Sequence, residues 1–126
     1  MDKTVLADKD IQNGMQLVIL LEKSKFEFNV AMWFLDGTGD WHFIVASPWV
    51  DTLGPKKCYE LIQSVMKDMP ESQKIPLDRI AVLSQNDDLI CLFKTVIRAE
   101  GISQIRFSKK SINGVFIDDA LIYCIC

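Results

Sequence analysis

Between Phe26 and Ala46 two largely apolar runs flank Asp36-Gly37-Thr38-Gly39-Asp40, and no polar residue alternates within Val30 to Leu35 or Phe43 to Ala46. Successive side chains of an extended strand point to opposite faces. Phe28, Val30, Met32 and Phe34 therefore line one face, and Ala31, Trp33 and Leu35 the other. A hairpin wet on one side would show a polar residue at every second position. This one requires cover on both faces, from the rest of the chain or from another molecule. The pattern predicts a strand over 26–35, a turn over 36–40 and a second strand over 41–46.

The remaining elements follow from punctuation. Asp8 and Asp10 suit a helix start, where carboxylates meet unpaired N–H groups and the positive end of the dipole. Ile11, Met15, Leu17, Val18 and Leu21 keep helical spacing, which predicts a helix over 8–24. Gly14 within it is unfavourable by about 1 kcal/mol relative to alanine. Ser47-Pro48 ends the second strand, because proline cannot donate to a ladder. Gly54-Pro55 opens a helix with the stripe Tyr59, Ile62, Val65, Met66 and Met69, and Pro70 stops it.

Ile80 to Leu83 reads as a short strand. Asn86-Asp87-Asp88 predicts a capped helix over 89–99, closed by Gly101, and Ile102 to Phe107 a further strand. Asn113-Gly114 is a tight-turn signal into a last strand over 115–125, with a bulge expected at Asp118-Asp119. The order α-β-β-α-β-α-β-β predicts one α+β domain over 1–126, with a mixed, mostly antiparallel five-stranded sheet and three helices.

The net charge of −3 supplies no global field toward nucleic acid or anionic lipid. The opening residues lack the order of a secretory signal, and Leu17 to Leu21 falls far short of the roughly 20 apolar residues that span a bilayer. The chain is expected in the cytoplasm, away from membranes, with its four cysteines as thiols.

No spacing of reactive side chains matches a common chemistry. The one histidine, His42, lies between Trp41 and Phe43 with no orienting partner evident in the sequence. Asp36 and Asp40 offer oxygen ligands, but aspartates also favour turns for their own backbone hydrogen bonds. Cys58, Cys91, Cys124 and Cys126 lack the paired spacing of a zinc site, and Cys124 and Cys126 are expected to point into the core together. No catalytic residue, metal or cofactor is assigned.

Two basic groups are candidate anion sites. Lys56 and Lys57 open a helix, and Arg98, Arg106, Lys109 and Lys110 lie with Lys94 in a segment whose one acid is Glu100. The aromatic hairpin points elsewhere: Met32, Trp33, Trp41 and Trp49 concentrate residue types favoured in interface cores. Three helices are expected to leave one of its faces uncovered. The leading expectation is a non-enzymatic interaction module or accessory subunit that binds a protein partner or a second copy through that hairpin. Nucleic-acid or nucleotide binding through the basic segment is the alternative, and a small metal-dependent hydrolase at Asp36, Asp40 and His42 a further one.

Overall fold

A computed structural model describes residues 5–126. The chain runs through α1 (Asp8–Lys23), β1 (Val30–Leu35), β2 (Trp41–Ser47), α2 (Trp49–Leu53), α3 (Pro55–Met66), β3 (Ile80–Ser84), α4 (Asp88–Lys94), β4 (Ile105–Ile112) and β5 (Val115–Ile125), with single 3-10 turns at Glu71–Gln73 and Leu77–Arg79. The five strands form one mixed sheet in the order β3-β2-β1-β5-β4. Every pairing is antiparallel except β2 with β3.

The hairpin is central, and the chain's own helices cover both of its faces. Ala31, Trp33, Leu35, Phe43 and Val45 pack under Leu17, Val18 and Leu21 of α1 and Cys58, Ile62 and Met66 of α3. Val30, Met32, Ile44 and Ala46 pack under Ile90 and Phe93 of α4, with Ile97 and Ala99 beside them. Seven residues of α4 and the irregular segment after it suffice for the second face. The uncovered face expected from helix count alone is therefore filled, because a non-helical segment contributes to the covering layer. Full burial of each large apolar side chain contributes about 1.5–3 kcal/mol.

Several boundaries differ from the sequence reading for local reasons. α1 exits through Lys25 at φ 63°, while the Phe26 amide bonds the Leu21 carbonyl at 3.2 Å. Residues 26–29 therefore precede the strand, and Phe28 packs with Phe26 on the α1 side rather than with Val30. α2 was not foreseen; the Ser47 hydroxyl starts it by accepting from the Trp49 amide at 3.0 Å. α4 ends at Lys94, not Ala99, because Ala99 pairs with Ile125 across the end of β5. Asn113 and Gly114, at φ 49° and 84°, form the tight turn between β4 and β5. The register shift between β1 and β5 lies between Ala31 and Met32, opposite Cys124 and Ile122, rather than at Asp118-Asp119. It leaves Tyr123 as an extra residue whose side chain, like that of Cys124, faces α1 and α3.

Candidate functional site

The 36–40 loop brings together the groups suspected of chemistry. Leu35 pairs with Trp41 and Phe34 with His42, so His42 shares a face with Met32 and Phe34. Asp36 Oδ1 accepts from the Thr38 amide at 2.8 Å, the Thr38 hydroxyl at 2.6 Å and the Asp40 amide at 3.0 Å. Asp36 Oδ2 lies 2.8 Å from His42 Nε2. The Thr38 hydroxyl, followed by the Asp40 and Thr38 amides and the His42 ring, holds the Asp36 carboxyl well below the usual carboxylate range. One ligand atom each from Asp36, Asp40 and His42 falls within 4.8 Å of the others. Asp36 thus closes its own hairpin through Oδ1, and through Oδ2 it is the orienting partner of His42 that the sequence does not reveal.

The four residues expected at an interface sit elsewhere. Met32 and Trp33 have no exposed surface and Trp41 is 7% exposed. The indole Nε1 of Trp33 donates to the Asp10 carbonyl at 3.0 Å, and the Arg79 guanidinium stacks 4.8 Å from its ring centroid. Arg79 in turn holds the Asp10 carboxylate through two bonds of 3.0 and 3.2 Å. Trp49 is half-buried, edge-on to Phe26 at 5.1 Å. An interface made from Met32, Trp33 and Trp41 would require this core to open.

The basic residues divide into separate groups. Lys56 and Lys57 are exposed in the first turn of α3, whose Tyr59 bonds β3 at one edge of the sheet, while Arg106, Lys109 and Lys110 lie on β4 at the other edge. Arg98 pairs with Glu100 at 3.2 Å. Arg106 grips Asp119 through bonds of 2.6 and 2.5 Å and lies over the Trp41 ring. Hydrogen bonding to Asp119 raises the Arg106 pKa further. Among the described residues no ion pair engages Lys94, Lys109 or Lys110.

All four cysteines are free thiols. Cys58 and Cys124 are buried, and burial pushes both up, Cys124 to about 12. Cys91 and Cys126 are exposed, so Cys126 does not share the core position of Cys124.

The described residues include two surface grooves. One of about 690 Å³ lies between α3 and the following loop, over Met66, Ile75 and Leu77 with Lys67, Glu60 and Lys74 at its rim. The other, about 500 Å³, runs past Phe28, Asn29, Ile102, Cys124 and Cys126.

The two free edges of the sheet are treated differently, a feature the sequence reading missed. The Tyr59 hydroxyl donates to the Ile80 carbonyl at 3.1 Å and accepts from the Val82 amide at 3.0 Å, so α3 caps the five-residue edge strand β3. β4 has eight residues and pairs with β5 alone. At the tip of that hairpin Val115 is 48% and Phe116 57% exposed. The available signal was the apolar pair directly after Asn113-Gly114, where a tight turn leaves side chains outside the core.

No described helix is long and apolar enough to cross a membrane. Comparisons with family models, with curated proteins and with solved structures match this chain to none of them.

Proposed function

We propose that this chain is a non-enzymatic interaction module that takes up an extended segment of a partner protein along the β4 edge. The observation that carries this reading is the contrast between the edges: Tyr59 occupies two backbone groups of β3, the Ile80 carbonyl and the Val82 amide, while β4 is longer and adjoins the exposed Val115 and Phe116. An open edge presents a row of unpaired N–H and C=O groups that another chain can extend as an added strand. The exposed apolar pair supplies side-chain contact beside that row. Burial of the aromatic hairpin moves the interaction surface from Trp33 and Trp41 to the opposite end of β5 from the core bulge. The four unpaired thiols support a reducing compartment such as the cytoplasm.

Selection of a displayed random-peptide library on the folded protein, followed by amide exchange of the complexes, tests this reading. Selected peptides should protect amides within residues 105–112 and lose affinity with Phe116→Ser. Protection confined to the groove beside α3, or failure to select any ligand, would refute the edge as the docking site.

A further inference from the structure

We propose that the segment added to β4 is acidic, a short extended stretch that pairs along Ile105–Ser108 and delivers carboxylates to Lys109 and Lys110. This rests on the edge reading above and names the chemistry of the partner. The chain as a whole is acidic, at −3, yet its longest free edge is cationic. Glu100 and Asp119 already neutralise Arg98 and Arg106. Lys109 and Lys110 are exposed on the same strand and engaged by no carboxylate among the described residues.

The backbone places these charges in the second half of β4. Lys109 adopts φ 51°, a left-handed conformation within the strand that leaves its register with β5 unchanged on either side. Lys110 is thereby turned over Phe107, its Nζ 5.5 Å from the ring centroid, while Phe107 meets Phe93 of α4 edge-on at 5.9 Å. A strand added beside Ile105–Ser108 would meet the half-buried Phe107 first and the two ammonium groups next.

A second copy of the chain fits this edge poorly. Twofold pairing of β4 with itself would bring two sets of Lys109 and Lys110 to one seam, where like charges on adjacent strands repel. A polynucleotide is also less suited. Lys56 and Lys57 belong to the far side of the sheet, so the free cations do not form the continuous track that backbone phosphates require.

Three synthetic peptides on one alternating valine frame, carrying Glu, Gln or Lys at the polar positions, test the proposal by fluorescence anisotropy with amide exchange on each complex. The Glu peptide should bind about three- to tenfold more tightly than the Gln peptide, lose that advantage in high salt, and protect amides within 105–112. Lys110→Glu should abolish the advantage and favour the Lys peptide. Lys109→Asn should reduce it without straining the left-handed position, which asparagine tolerates. If the Gln peptide binds as tightly as the Glu peptide and protects the same amides, acidity is refuted and the edge reading stands. If none of the three protects β4, both fail. A single-stranded polynucleotide that displaces the Glu peptide and binds more tightly than it would overturn the assignment in favour of nucleic acid.

Discussion

Gly14 of α1 and Tyr123 of β5 approach so closely that a β-carbon on Gly14 would lie 2.4 Å from the Tyr123 hydroxyl oxygen and 2.7 Å from Trp33 Nε1. That hydroxyl donates to the Ile11 carbonyl at 2.6 Å, and burial raises its pKa well above the usual phenol range. The two aromatic tips thus anchor the first turns of α1 to the sheet, through a gap that only glycine leaves open. Gly14→Ala should therefore destabilise the fold by about 1–3 kcal/mol in denaturant titration, because overpacking outweighs the roughly 1 kcal/mol gained in helix propensity. A stabilised variant would show that the gap is not needed.

Trp33 and Phe116 should separate core from surface. Trp33→Ala should cost about 3–5 kcal/mol and leave little folded protein. Phe116→Ala should stay within about 0.5 kcal/mol of the parent. Thermal unfolding of both variants checks the pair, and a well-folded Trp33→Ala protein would contradict the burial described.

Tyr59→Phe removes one hydroxyl that serves two backbone groups of β3. The expected loss is about 1–2 kcal/mol, accompanied by greater self-association as the β3 edge opens. Chemical denaturation gives the first quantity and light scattering the second. Unchanged stability together with an unchanged monomer fraction would argue against the cap.

Acid stability should report on Asp36. In the unfolded chain this carboxyl takes up its proton near pH 3.9, whereas in the hairpin it remains ionised to lower pH. A depressed folded pKa gives stability that is present above the unfolded value and lost as pH falls toward the folded one. Asp36→Asn should therefore be less stable than the parent near neutrality, and the difference should narrow as pH drops below about 4. A difference that is constant from pH 7 to pH 2 would show that proton linkage is absent.

Native-state thiol labelling should divide the cysteines. Cys91 and Cys126 are exposed and should react promptly, whereas Cys58 and Cys124 should react only on unfolding, because the thiolate is the reactive species and burial suppresses it. Mass spectrometry after a brief pulse of reagent counts the modified sites. Equal rates at Cys124 and Cys126 would contradict their different environments.

The sequence by itself determined the elements that rest on local chemistry. Asp8 and Asp10 stand in the first turn of α1, though neither caps it and Asp10 is held by Arg79; Gly54-Pro55 begins α3, Asp87 caps α4 by accepting from the Leu89 amide, and Asn113-Gly114 turns the last hairpin. The unbroken apolar run of 30–35 likewise required a strand covered on both faces, and the mixed five-stranded sheet carries it there. Tertiary structure decided which molecule supplies the cover. Helix spacing could not show that 95–99 leaves α4 and joins the layer over Met32, because Ala99 is held by Ile125, a residue distant in sequence. Nor could local composition show that Arg106 is spoken for by Asp119, that Tyr59 closes β3, or that β4 stays open. Each of these depends on which strands become neighbours, and strand order is set by packing across the whole chain rather than by any short run of residues.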